Sequence, residues 1–418
     1  MEIKEIYNCF SQSSGICTDT RKLIKDCIFF ALKGKNFNGN EYAHNALKLG
    51  AKFVVIDQAE YKQDENYILV DNVLFTLQNL AKYHRQKMKF PVIGITGTNG
   101  KTTTKELINA ALSSQFKTTC TQGNFNNDIG VPLTILSTDL DTEILIVEMG
   151  ANHINEIEFL CNISQIEFGL ITNIGKAHLE GFGSYENIIK TKNELYEYLY
   201  SKNNIVFVNG DDELLMNLSK KMNRILYHDY SEIQNTSSFL SISVEDIIIN
   251  SQLIGSYNAT NIIAAYSIGR YFGINSNKLA DALSNYKPSN NRSELKKTEL
   301  KNLLILDAYN ANPSSMELAI SSHIKNKKNN AYFILGDMLE LGQNSLKEHQ
   351  SIINLLEVNN TINVLLVGPE FGNSKHSFLH FNQTNDLKEY LKQNPIENST
   401  ILLKGSRGMK LEELESVL

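Results

Sequence analysis

Little in the chain ties it to an oxidising compartment, a membrane or a nucleic acid. Its five cysteines among 418 residues (Cys9, Cys17, Cys27, Cys120 and Cys161) are odd in number and scattered, with no Cys-x-x-Cys pair. That spacing excludes a disulfide framework and the common zinc sites, and leaves reduced, buried thiols. No apolar run approaches the roughly 20 residues needed to cross a bilayer. The first residues, Met1-Glu2-Ile3-Lys4-Glu5-Ile6, lack an apolar signal core. There is no internal repeat and no low-complexity tail. Excess positive charge is missing too: the net charge of −6 argues against a general nucleic-acid binder, while leaving room for a local basic pocket. These absences lead to the expectation of a cytoplasmic protein with no membrane span and no nucleic-acid partner.

What is present is an ordinary globular composition, 42% hydrophobic and 21% charged, with ample material for a core. The length calls for two or three domains. The most informative stretch is Pro91 to Thr104, Pro-Val-Ile-Gly-Ile-Thr-Gly-Thr-Asn-Gly-Lys-Thr-Thr-Thr. A β-prone run (Val92, Ile93, Ile95) feeds a turn bracketed by Gly97 and Gly100. A helix follows with Leu107, Ile108, Ala111 and Leu112 on one face. Strand, glycine turn and helix N-terminus together form the context of a phosphate-binding loop, whose N–H groups point at phosphate oxygens. Lys101 would face the β/γ-phosphates and Thr102 would offer its hydroxyl to Mg²⁺. Ile95 stands where the usual loop has its first glycine. The bland alternative, a strand–turn–helix without ligand, is disfavoured by that context. A nucleoside triphosphate is the expected ligand.

The pattern divides into three blocks, 1–85, 86–287 and 288–418. The first has strand candidates at Lys52–Ile56 and Tyr67–Val70, and a helical stretch over Leu74–Met88 leads out of it. The second alternates helices with strands expected at Val92–Thr96, Ile144–Glu148, Phe168–Asn173 and Asn204–Asn209. Pro288 and the polar run Ser289-Asn290-Asn291 mark the next boundary. Beyond it, strands are expected at Leu303–Asp307, Ala331–Leu335, Asn363–Val367 and Thr400–Leu403. The expected fold class is α/β in three domains. A small mixed α/β N-terminal domain precedes a central P-loop domain with a parallel sheet and a C-terminal Rossmann-like domain. Ligands should bind at the carboxyl ends of the strands.

Glu148 ends a buried-strand pattern at that edge and is placed to hold Mg²⁺; the alternative is a solvated acid. His178, just past Phe168–Asn173, is either a metal-ligand candidate or a hydrogen-bonded surface group. Lys192 by spacing alone reads as a solvated lysine. The polar loop Gly123–Pro132 is either a turn cluster or an amide-rich surface suited to a sugar or nucleotide diphosphate.

Taken in order, several strings resemble the Mur ligases over nearly the whole chain. They are Thr18-Asp19-Thr20-Arg21, Gly97–Thr103, Gly123–Pro132, Glu148–His153, Thr172–Ser184 and Lys192-Asn193-Glu194. The last block adds Asp307–Pro313, Leu335–Gly342 and Lys404–Lys410, three strings similar to the branch that adds D-alanyl-D-alanine to a UDP-N-acetylmuramoyl tripeptide.

The resemblance implies an ADP-forming amide ligase that uses ATP and Mg²⁺ in peptidoglycan precursor synthesis, with both acceptor and donor small molecules and the protein a monomer. It implies a UDP-sugar-binding first domain, an ATP-binding second and a ligase third. The nucleotide would lie against Gly97, Thr98, Asn99, Gly100, Lys101, Thr102 and Thr103, with Asn258 and Asn261 at the adenine, Arg292 at a phosphate and Asp307 at the ribose. Metal would be held by Thr102, Glu148, His178 and a carbamylated Lys192. Lys101, Glu148, His178, Lys192 and Arg292 would form the catalytic set. The UDP end would use Thr18, Asp19, Thr20, Arg21, Gly34, Asn38 and Gly39, together with Asn124 and Asn127. The acceptor side would use Tyr309, Asn310, Asn312, Lys404, Ser406 and Arg407.

Three positions depart from the family pattern: Tyr257 and Asn40 where histidine is frequent, and Ala308 where serine is. They touch the nucleotide pocket and the UDP site, not the metal centre. The alternatives are a sister ligase that adds a single amino acid or polyglutamate, and a nucleotide-binding scaffold without chemistry. The Asp-Asn-Pro-Arg string of the diaminopimelate-adding sister is absent.

Overall fold

Short β-prone runs buried on both faces, separated by helices with one apolar face, assemble three successive sheets. The structure, a computed structural model, describes residues 2–418 except 178, 229, 234–238, 289–291, 293 and 326–329. The fold is α/β, as the alternation predicts.

The first sheet is parallel and runs β1 (Ile16–Cys17), β2 (Ile28–Phe30), β3 (Phe53–Ile56) and β4 (Tyr67–Leu69) in spatial order. A helix, Ile3–Ser11, precedes it, and Val73–Arg85 follows. The latter starts where the Asn72 side chain accepts the Phe75 N–H, satisfying a donor that the first turn leaves open. It ends at Arg85, which donates to the Ser164 and Gln165 carbonyls and pairs with Glu167 at 2.6 Å.

The second sheet contains β5 (Val92–Thr96), β6 (Thr118–Cys120), β7 (Ile144–Glu148), β8 (Phe168–Ile171), β9 (Ile205–Asn209) and β10 (Asn223–Tyr227). All are parallel, in the order β10-β9-β8-β5-β7-β6. The chain moves to one side of β5 for β6 and β7, then to the other side for β8. The carboxyl end of β5 is therefore the point where connections part, the crevice in which open α/β sheets bind ligands. Helix α1 (Lys101–Ser113) leaves from that end, and α2 (Ala259–Tyr271) packs along it within one apolar cluster. A small antiparallel sheet (Ser231–Glu232, Ser241–Val244, Ile247–Asn250) packs against the helix Ser276–Asn285 and was not anticipated.

The third sheet is mixed. Its strands are β11 (Glu294–Lys297), β12 (Leu303–Asp307), β13 (Ala331–Gly336), β14 (Val364–Val367), β15 (Leu379–Phe381) and β16 (Thr400–Lys404). Their order is β11-β12-β16-β13-β14-β15, with only the edge strand β11 antiparallel. Asp307 and Lys404 sit opposite each other at the ends of β12 and β16. Helix α3 (Pro313–Lys325) follows β12. The sequence strings at Asp307–Pro313 and Lys404–Lys410 thus emerge side by side.

Candidate active site

The turn after β5 has the backbone that phosphate cradling requires. Gly97 has φ +142° and Gly100 φ +77°, both disfavoured for side-chain-bearing residues. A Cβ on Gly97 would meet Thr172 Oγ1 at 2.0 Å, and one on Gly100 would meet Asn261 Oδ1 at 2.9 Å. The loop is strapped to the segment after β8. Thr172 Oγ1 donates to the Asn99 carbonyl at 2.6 Å, and the Thr98 N–H donates to the Asn173 carbonyl at 2.9 Å. The Asn173 side chain accepts from the Asn99 N–H and donates back to its carbonyl. Thr98 Oγ1 meanwhile donates to the Gly175 carbonyl and accepts its N–H. Such strapping fixes the shape of the loop.

A cleft of about 480 Å³ opens at this loop. Gly97 through Thr103 line it, with Asn127, Glu148, Lys192, Asn258, Asn261, Arg292, Asp307, Tyr309, Asn310, Asn312 and Lys404 around them. Residues expected at the nucleotide, the metal and much of the acceptor side thus share one cavity. No cysteine is among the lining residues, and four of the five thiols are buried elsewhere.

Lys101 Nζ turns back on its own loop and donates to the carbonyls of Gly97 (2.7 Å) and Thr98 (2.9 Å). Desolvation lowers its pKa to about 8; Glu148 opposes the shift and Arg292 adds to it. Lys192 is 3% exposed and its ammonium lies 5.7 Å from the Phe182 ring centre. Burial first, then repulsion by Lys101, brings its pKa to about 7, against the pull of Glu194 and Glu156. Among the described residues no carboxylate lies within 4 Å of it. The solvated lysine that spacing suggests is therefore not what the fold makes of Lys192. Its neighbour Glu194 faces away and accepts the Asn155 and Glu158 N–H groups at the start of the helix Glu156–Ser164.

Glu148 is 2% exposed at the end of β7. Its Oε1 accepts from Thr102 Oγ1 (3.1 Å) and Asn126 Nδ2 (2.8 Å), while Oε2 is buried with no hydrogen-bond partner. A buried anionic oxygen with nothing to accept from is costly unless a cation or donor arrives. Among the described residues no group of three His, Cys, Asp or Glu could enclose a metal. A site with one carboxylate and one hydroxyl, open to phosphate oxygens, is the type Mg²⁺ uses. His178 lies outside the described residues.

Asn258 and Asn261 form a chain. Asn258 Nδ2 donates to the Ile254 carbonyl, Asn261 Nδ2 donates to Asn258 Oδ1, and Asn261 Oδ1 accepts from Thr104. Their amides thereby tie α1 to α2 at the edge of the cleft. Arg292 stacks 3.6 Å from the Tyr309 ring centre, and Arg407 lies over the same ring at 5.4 Å. Asp307 Oδ2 accepts from Lys404 Nζ at 2.6 Å. Asn312 and Asn99 exchange amide hydrogen bonds, one at 2.7 Å and a longer one at 3.5 Å, joining the phosphate loop to the start of α3. Ser406 is buried behind this wall, accepting the Leu339 N–H.

The residues expected at the UDP end lie elsewhere, on the first sheet. Arg21 makes a two-pronged pair with Asp19 on the surface, which holds that carboxyl down to about 2. Thr18 and Thr20 flank it, half-buried. Asn38 donates to Gln58 and accepts from Asn40. Gly39 passes so close to Leu32 that a Cβ would meet its carbonyl at 2.3 Å, and exposed Gly34 lies against Phe37. Asn40, noted as a departure, is fully buried and exchanges hydrogen bonds with Asp57. Of the loop amides, Asn127 lines the cleft and Asn124 is exposed outside it. The expectation passed over Asn126, Asn173 and Phe182, whose roles depend on which strand ends meet and leave no mark in local spacing.

Sequence models of the Mur ligase family match in series. The Mur ligase family catalytic domain matches residues 12–90, the Mur ligase middle domain 95–269, and the Mur ligase glutamate ligase domain 291–407. The UDP-N-acetylmuramoyl-tripeptide–D-alanyl-D-alanine ligase of Bacillus subtilis is 36% identical, over 96% of this chain and 92% of its own. The enzyme of the same name from Haemophilus influenzae is 33% identical, over 96% and 93%. The solved MurF ligase of Thermotoga maritima, in complex with ADP, superposes with a TM-score of 0.87 at 25% identity, covering 98% of this chain and 97% of that one. MurF from Acinetobacter baumannii, at 24% identity and a TM-score of 0.85 over 99% and 97%, shares the fold. With relatives above 30% identity aligned almost end to end, the chain belongs to the Mur ligase family.

Proposed function

We propose that this protein is the ADP-forming ligase that joins D-alanyl-D-alanine to UDP-N-acetylmuramoyl-tripeptide, working as a cytoplasmic monomer with ATP and Mg²⁺. The blocks 1–85, 86–287 and 288–418 would bind the UDP-sugar, bind ATP and complete the ligase site. The observation that carries the reading is the shared cleft, which Lys101, Thr102 and Glu148, with its unpartnered Oε2, line together with Asp307 and Lys404 of the third sheet. The relatives named above support the choice of substrates. Among the described residues no helix is long and apolar enough to cross a membrane.

The reaction moves the γ-phosphoryl of ATP to the free carboxylate of the tripeptide, leaving ADP and an acyl phosphate. The amine of D-alanyl-D-alanine then attacks the acyl carbon, loses a proton and expels phosphate, leaving the amide. The first barrier is repulsion between anions, so Lys101 and Arg292 act by neutralising and aligning charge. Mg²⁺, held by Thr102, Glu148 and a carbamate on Lys192, with His178 as a further ligand, would supply more of that neutralisation. Carbamylation needs an uncharged amine, which the burial of Lys192 provides, and it turns an ammonium that opposes the metal into an anionic ligand. Asn258 and Asn261 border the adenine end and Asp307 the ribose. Tyr309, Asn310, Asn312, Lys404, Ser406 and Arg407 form the acceptor wall, which keeps water from the acyl phosphate.

The test is incubation with ATP, Mg²⁺, the UDP-muramoyl tripeptide and a panel of acceptors, followed by mass measurement. A product heavier by the dipeptide less water supports the reading. Product with a single amino acid alone points to a sister ligase, and nucleotide binding without phosphate release points to a scaffold.

A further inference from the structure

Glu148 has two carboxylate oxygens, and its neighbours treat them differently. Left to itself the carboxyl group would rotate and offer either atom. Here Oε1 takes two donors, Thr102 Oγ1 and Asn126 Nδ2. Two donors on one oxygen fix the carboxylate plane and leave Oε2 as the unsatisfied atom. Asn126 is itself held. Its carbonyl accepts the Gly150 N–H at 2.7 Å, and its amide rests on the bare Cα of Gly150, where a Cβ would meet Asn126 Cγ and Oδ1 at 3.0 Å. Glu148 is anchored from behind as well, its N–H donating to Thr121 Oγ1 at 3.0 Å. Asn126 and Gly150 both line the cleft.

We infer that Asn126 is a positioning residue: together with Thr102 it holds Glu148 Oε1, fixes the carboxylate and leaves Oε2 without a partner, and so sets the affinity of the centre for a divalent cation. It acts through Glu148, and Gly150 is the space that lets its amide approach. The inference rests on the reading of Glu148 as the cation-facing carboxylate. It separates Asn126 from Asn124 and Asn127 of the same loop, which make no hydrogen bond to Glu148 among those described.

Mn²⁺ binding to the ADP-loaded full chain, followed by its electron spin resonance signal, tests this without turnover. Removing a group that orients a metal ligand typically weakens metal binding 10–100-fold. Asn126→Ala should raise the Mn²⁺ dissociation constant about tenfold or more, with affinity for the UDP-tripeptide unchanged. Gly150→Ala should do the same, because its methyl group displaces the amide without removing it. Asn126→Ala/Gly150→Ala should be no worse than Asn126→Ala alone. Should Asn126→Ala fail to fold, Gly150→Ala carries the test.

Glu148→Gln is the control. If it weakens Mn²⁺ binding while folded Asn126→Ala or Gly150→Ala binds Mn²⁺ as the wild type does, the positioning role is overturned and the reading of Glu148 stands. If Glu148→Gln also binds normally, that reading itself fails. Additive losses in the double variant, or loss of tripeptide affinity in place of Mn²⁺ affinity, equally overturn the inference.

Discussion

Lys404 Nζ sits 2.6 Å from Asp307 Oδ2 across the carboxyl ends of two neighbouring strands, and the lysine is 2% exposed. Deleting one partner of a buried pair leaves the other charge stranded, at a typical cost of about 3–5 kcal/mol. Asp307 keeps some access to water, so the lower end of that range applies. Lys404→Met should lower the melting temperature by several degrees, and Asp307→Asn added to it should restore part of the loss. Calorimetric unfolding of the two single variants and the double variant checks this; simple additivity would contradict it.

Lys101→Ala should abolish turnover, by about a thousandfold or more, because the proposed mechanism sets this cation against the transferring phosphoryl group. Phosphate release in the presence of both substrates measures it. Near-normal release would remove the phosphate-loop reading.

Lys192 gives a sharper test. Lys192→Ala should be nearly inactive and partly rescued by acetate, which replaces an anionic oxygen in the vacated space. Lys192→Arg should stay inactive, since a guanidinium keeps its charge and forms no carbamate. A carbon-13 carbamate resonance from labelled bicarbonate, present in wild type and lost in both variants, is the independent readout. Wild-type turnover in Lys192→Arg would end the carbamate reading.

His323 carries a stability prediction away from the site. It lies on α3, edge-on to Phe333 with rings 4.8 Å apart, and its Nε2 is buried without a partner. Burial lowers its pKa from 6.5 to about 4, opposed in part by the nearby backbone of Tyr332 and Thr400. Between those values the unfolded chain binds the proton and the folded one does not. Stability is therefore complete above pH 6.5 and falls as the pH drops toward 4, by roughly 3 kcal/mol from this group. The stability difference between His323→Leu and wild type should stay constant above pH 6.5 and shift against wild type on acidification. A pH-independent difference in urea unfolding would contradict it.

The strands around the site were legible because they are buried on both faces. Val92–Thr96, Ile144–Glu148 and Leu303–Asp307 read as unbroken apolar runs and form strands over those residues. The antiparallel edge strand Glu294–Lys297 and the small sheet at 231–250 did not read. They are short and half-covered, and alternation over four residues is too brief to distinguish from a loop. Within the site, Lys101 and Glu148 announce themselves by position in a strand–turn–helix and at a strand end. Lys192 could not, because its burial depends on Phe182 and on packing that no spacing records. Asn126 looked like one of several equivalent amides until β7 was set beside its loop.

The thiol-free lining of the cleft bears on how a covalent inhibitor could engage it. A thiol-directed electrophile finds no partner there and would react first at Cys9, the one cysteine that is not buried, on the helix Ile3–Ser11. An amine-directed warhead such as a sulfonyl fluoride meets different conditions. Burial brings the Lys192 pKa down to about 7, so its amine, when free of carbamate, is uncharged near neutral pH far more often than an exposed lysine and able to attack. Dissolved carbon dioxide and the inhibitor would then compete for the same nitrogen, so the potency of such a compound should fall as bicarbonate is raised.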